Sequence, residues 1–137
     1  MKQSVLWTLA SVLSVLFFSV HVADDIIRGF EKGGLPNLMA VPIMVLWLYA
    51  TLVLAERRSG YVIVLLGSLL AAGIPVLHFR GAGGVAGGRI AGSGGALLWV
   101  WTLYALGVCA LFSVILSVHG LWKLQRGRSG KPELASP

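Results

Sequence analysis

The chain has 137 residues, 57% of them hydrophobic and only 12% charged, with a formal net charge of +6 and a mean hydropathy of +0.86. Soluble domains carry roughly 25% charged residues, and a domain this small cannot hide so much apolar surface in one core. A water-soluble globular domain is therefore excluded, and so is a nucleic-acid partner, because the basic residues flank apolar runs instead of forming a dense basic patch.

A bilayer core of about 30 Å takes about 20 apolar residues in a helix, and four segments qualify. Val5 to Ala23 is the first. Cleavage as a signal peptide wants small residues at −3 and −1, and His21 falls badly for either cut, so this span is expected to be retained. It continues as Asp24-Asp25-Ile26-Ile27-Arg28, with Gly33-Gly34 and Pro36 expected to stop the helix. Leu38 to Ala55 is the second span, with Pro42 near its start. Glu56-Arg57-Arg58-Ser59-Gly60 then joins it tightly to the third, Tyr61 to Phe79, so these two are expected to be antiparallel neighbours. Pro75 frees the carbonyl of Ala71 and predicts a kink. Gly81 to Gly95 holds eight glycines in fifteen residues and reads as a flexible loop. Ala96 to Trp122 is the fourth span, and none of the four contains Asp, Glu, Lys or Arg. In lipid each must be helical, because a lone strand leaves its backbone groups unpaired.

The expected fold is an all-α integral membrane four-helix bundle, up-down-up-down, occupying residues 1–123. A basic tail over 124–137 reads as disordered and cytoplasmic, with Gly and Pro among its polar residues. Seven basic residues (Lys2, Arg57, Arg58, Lys123, Arg126, Arg128, Lys131) share one side and four (Arg28, Lys32, Arg80, Arg89) the other. The positive-inside rule then places both termini in the cytoplasm of a bacterial-type inner or plasma membrane. Trp99 and Trp101 read as the outer aromatic belt, Tyr61 and Trp122 as the inner one.

Small residues let membrane helices approach closely. Ala105, Cys109, Ser113 and Ser117 recur every four residues in the fourth span, Gly67 and Ala71 do so in the third, and Thr8, Ser11 and Ser14 line the first. These faces are expected to form the bundle interior, and Cys109, the one cysteine, reads as a packing residue.

One constellation can carry chemistry. His21, Asp24 and Asp25 share a helix face, and Arg28 follows Asp24 by four residues, within pairing distance. The third span ends on the same side with His78. Two imidazoles and two carboxylates, His21, Asp24, Asp25 and His78, form a ligand set for Zn, Fe, Mn or Cu. Alternatively His21 and His78 are axial ligands of a haem, or a charged histidine and Asp25 form a pH-sensitive latch. The plainer account, which the residues alone favour, is that polar groups collect at helix ends beside water and bind nothing. His119 lies at the opposite end.

No dinucleotide fingerprint, phosphate loop or nucleophile elbow occurs. The chain thus reads as a membrane interaction or accessory subunit without a recognisable catalytic motif, packed in the lipid bilayer against itself or a partner membrane protein. The alternative is a metal- or haem-binding redox protein, and the third reading is an oligomeric small transporter or channel.

Overall fold

The computed structural model describes residues 3–30, 32–80, 90 and 92–129. Among them all regular structure is helical: α1 (Gln3–Ile27), the single turn α2 (Leu35–Leu38), α3 (Ala40–Leu52), α4 (Arg58–Arg80) and α5 (Ala96–Ser129). Three of these, α1, α4 and α5, are long and apolar enough to cross a membrane. The fourth apolar segment has only 13 residues in α3, because two prolines punctuate it. Pro42 has no N–H to offer the carbonyl of Leu38, so the helical ladder is interrupted there. Met39 between the two pieces keeps helical angles, φ −64° and ψ −20°.

Each end has a local cause. Gly29 takes φ +70°, and the Phe30 N–H returns to the Asp25 carbonyl at 2.9 Å while the Gly29 N–H reaches Ile26 at 3.0 Å. This glycine-closed cap stops α1 at Gly29, four residues before the Gly33-Gly34 pair expected to stop it. The turn into α4 places Glu56 at φ +65°, a left-handed conformation that disfavours any side chain. Gly60, in the first turn of α4, sits so close to the Leu54 carbonyl that a Cβ would overlap it. The helix α5 continues through Ser129, six residues into the segment expected to be disordered. Leu124 still packs on the core, and the Arg126 guanidinium lies 3.8 Å above the Trp122 ring. The expectations for residues 81–89, 91 and 130–137 lie outside the described residues.

The helices pack antiparallel to their neighbours. α1 meets α5 with Trp7 against Ser117 and Asp25 against Trp99. α4 meets α5 with Gly120 on Tyr61 and Gly107 on Pro75, and α3 meets α1 through Ser11 and Thr51. α1 and α4 lie across the bundle from one another, each packed mainly on α5.

Among the buried positions one seam runs through residues 7, 11, 14, 21 and 25 of α1, 61, 64, 68, 71 and 75 of α4, and 99, 103, 106, 110, 113, 117 and 120 of α5. Steps of three and four alternate, as in helices that pack at a shallow angle. The four-residue stripe expected in α5 is only half right. Ser113 and Ser117 are buried, but Ala105 and Cys109 are only partly so. A strict step of four overshoots the helical repeat by about 40° each time, so it leaves the seam. Tyr61 and Trp99, expected in the aromatic belts, are core residues, while Trp101 and Trp122 are exposed.

Among the described residues, polar side chains share the core with apolar ones, while large apolar side chains cover the outside. Nine buried residues are polar: Ser11, Ser14, His21, Asp25, Thr51, Ser68, Thr102, Ser113 and Ser117. The outward faces carry Leu9, Leu16, Leu66, Leu70, Leu77, Val108 and Ile115.

Candidate metal centre

At the end of the bundle where α1 and α4 finish and α5 begins, three ionisable side chains meet. His21 and Asp25 come from successive turns of α1, four residues apart and therefore on one face. His78 comes from the last turn of α4. Their ligand atoms all lie within 4.8 Å of one another. The side chain of His21 is 1% exposed, that of Asp25 9% and that of His78 30%, so the site is closed except on the His78 side.

α5 supplies the groups that orient them. The Trp99 indole N–H donates to Asp25 Oδ1 at 2.6 Å. The Thr102 hydroxyl donates to the Trp99 carbonyl at 3.0 Å and stands 3.3 Å from His21 Nδ1. A hydroxyl has one proton, and here it is committed to a carbonyl. A neutral His21 that donates to this oxygen from Nδ1 keeps its Nε2 lone pair facing inward.

That lone pair points into a small triangle. His21 Nε2 is 3.3 Å from His78 Nε2 and 3.6 Å from Asp25 Oδ2, and His78 Nε2 is 3.7 Å from Asp25 Oδ2. The carboxylate oxygen is thus beyond hydrogen-bond reach of both nitrogens. The three edges define a circle whose radius is about 2.1 Å, the length of a metal–imidazole or metal–carboxylate bond. One point therefore exists at bonding distance from all three atoms.

Aromatic rings wall the site. Trp99 stacks edge-on against His78 with centroids 5.0 Å apart, and His21 lies 5.3 Å from the same indole. Phe30, swung inward by the Gly29 cap, packs on Trp99 at 6.4 Å, and Ile90 buries itself in the same cluster.

Asp24 faces elsewhere. It accepts from Arg28 Nε at 2.9 Å, the pairing expected from their spacing, and is not one of the three clustered ligand atoms. Arg28 also donates to Ser93 Oγ, Gly94 O and Gly95 O at 2.7, 3.0 and 2.9 Å. It ties the end of α1 to the residue that opens α5, four positions before Trp99. His119 is exposed near Trp122 at the far end, away from the triad.

Of the residues singled out from sequence, His21, Asp25 and His78 are brought together. Trp99, Thr102 and the Arg28 clamp onto residues 93–95 were missed. Nothing local marks them. Trp99 and Thr102 sit in α5 and residues 93–95 in the turn before it, and only the antiparallel packing of α5 on α1 puts them level with the end of α1. Compared with protein-family models, curated proteins and solved structures, the chain matches none.

Proposed function

We propose that this chain is an integral membrane protein that binds one transition-metal ion between His21, Asp25 and His78. It crosses the bilayer four times, up-down-up-down, with both termini on the cytoplasmic side and the metal at the outer end. Three membrane-length apolar helices and an apolar exterior support insertion. The near-continuous stretch 35–52 adds 18 residues, about 27 Å at 1.5 Å per residue, enough for a fourth crossing. The seven-to-four split of basic residues supports the orientation.

The observation that carries the metal reading is the triangle of ligand atoms equidistant from one point at bonding length. A proton on either ring joins the two imidazoles through Nε2 at 3.3 Å, but Asp25 Oδ2, at 3.6 and 3.7 Å, lies beyond hydrogen-bond reach of both. A cation at the centre of the triangle would bind all three atoms at once. Haem fits less well. Two ligands on opposite faces of one iron stand about 4 Å apart, twice a metal–nitrogen bond, and a macrocycle must pass between them. Here the nitrogens are 3.3 Å apart with a carboxylate beside them. Half of the stripe that pointed to a partner subunit packs inside the chain's own bundle, where Ser117 accepts from Trp7 and Ser113 is fully buried, while Ala105 and Cys109 are only partly covered.

The test is zinc titration by calorimetry on protein purified in mild detergent and stripped with a chelator. One equivalent should bind. His21→Ala and His78→Ala should each weaken binding at least 100-fold, and Asp25→Asn about 10- to 100-fold, on the scale of losing one ligand or its support. Binding that is unchanged in both histidine variants would end this reading.

A further inference from the structure

We infer that the bound ion is four-coordinate and keeps its fourth position for an exogenous small donor, water or a small anion. This deepens the metal reading above and rests on it.

Coordination number leaves its mark on ligand spacing. With bonds of about 2.1 Å, ligands on adjacent vertices of an octahedron stand about 3.0 Å apart, and those of a tetrahedron about 3.4 Å. The observed edges are 3.3, 3.6 and 3.7 Å. All three exceed the octahedral value; 3.3 Å lies near the tetrahedral spacing, and 3.6 and 3.7 Å lie near the about 3.6 Å of a trigonal plane. An ion at 2.1 Å from each atom sits within about 0.5 Å of their plane, a flattened tetrahedron with one free apex. This spacing favours zinc-like ions over those that demand six oxygen-rich ligands.

No fourth ligand stands among the described side chains around the site. Among the described residues the cluster of candidate ligands stops at three. Asp24 is held by Arg28. The Thr102 hydroxyl is engaged with Trp99 and His21, and the Trp99 N–H with Asp25. Closed structural zinc sites draw four ligands from the protein, whereas sites with three leave one position for water or substrate. The site is also accessible, because the His78 side chain is 30% exposed while His21 and Asp25 are covered. A small donor can enter past His78. Trp99, Phe30 and Ile90 make the remaining wall apolar.

Cobalt(II) replaces zinc with little change in geometry and reports it by colour. The experiment loads the chelator-stripped full chain in detergent with one equivalent of cobalt(II), records the visible spectrum, and then titrates azide. Four-coordinate cobalt absorbs roughly tenfold more strongly in the visible than six-coordinate cobalt, so intense bands that shift saturably with azide are expected. Weak bands with cobalt bound would overturn four-coordination yet leave the metal reading standing. Intense bands indifferent to azide would overturn the open position. Glu31→Gln is measured in parallel, since this acid lies outside the described residues. A spectrum altered by that change would make Glu31 the fourth ligand and also overturn it. Failure to bind cobalt at all would sink the metal reading itself.

Discussion

The indole of Trp99 is 2% exposed and spends its only N–H on Asp25. It fixes which carboxylate oxygen is left to face the histidines, and its ring braces both imidazoles. Partners of this kind hold a ligand's orientation without touching the ion, and their loss typically costs 10- to 100-fold in metal affinity. Trp99→Phe keeps the aromatic wall and removes the N–H. We expect zinc affinity to fall about 10- to 100-fold with helix content unchanged by circular dichroism. Wild-type affinity in this variant would show that Asp25 needs no such support. A second closed set lies deeper in the bundle. Trp47 Nε1 donates to Ser11 Oγ at 2.8 Å, Ser11 and Thr51 hydroxyls meet at 2.6 Å, and Thr51 returns to the Trp47 carbonyl at 2.9 Å. By contrast Ser68 and Ser113 have buried Oγ atoms with no partner among the described residues. Removing Oγ in Ser113→Ala should therefore leave stability unchanged or raise it by about 1 kcal/mol, while Ser11→Ala strands the Trp47 N–H and should cost about 1–3 kcal/mol. Denaturant unfolding in detergent compares the two, and equal losses would contradict this bonding pattern.

Between elements, glycine decides how closely helices and turns approach. Gly60 abuts the Leu54 and Ala50 carbonyls, Gly67 leaves room for the Trp47 ring 2.8 Å from where its Cβ would lie, and Gly120 receives Tyr61. A Cβ at Gly60 would meet backbone, which cannot rotate aside. Gly73 sits in the same helix with nothing within 4 Å. The helix propensity gain of Gly→Ala is about 1 kcal/mol, so Gly73→Ala should stabilise. Gly60→Ala should lose that gain to overpacking worth about 1–3 kcal/mol or more. Their thermal midpoints in detergent should move in opposite directions, and a shared upward shift would refute the tight α3–α4 contact. Helix existence was legible for the same elementary reason throughout: long apolar runs bounded by charge and glycine. The ends were less legible. The Gly29 cap beat the stronger-looking Gly33-Gly34 signal because a single glycine at C′ suffices. α5 ran on through Gly127 because an isolated glycine inside a helix costs only about 1 kcal/mol.

For the whole molecule, polar side chains inside and leucines outside suit a lipid solvent, where exposed apolar surface costs nothing and buried polar groups pair across helices. The proposed topology puts the α3–α4 turn on one side of the membrane and Gly92, beside the metal site, on the other. In a Cys109→Ala background, Ser59→Cys should react with an impermeant maleimide only from the cytoplasmic side and Gly92→Cys only from the opposite side. The reverse labelling would invert the orientation, and labelling of both from one side would remove the four-crossing topology.

Composition and the spacing of charges were enough to determine an all-helical chain with membrane-length apolar helices, because hydrophobic runs and helical length are local, additive properties of residues. They were also enough to mark His21, Asp25 and His78 as candidates, since i,i+4 spacing and helix ends can be counted along the chain. The Asp24–Arg28 pair was likewise countable, but only tertiary structure decided that Asp25, 100° away on the same helix, turns to both histidines. It alone brought Trp99 and Thr102 to the site from 74 and 81 residues away. Those contacts depend on the register of α5 against α1, which the packing of a whole seam sets and no single stretch of sequence contains.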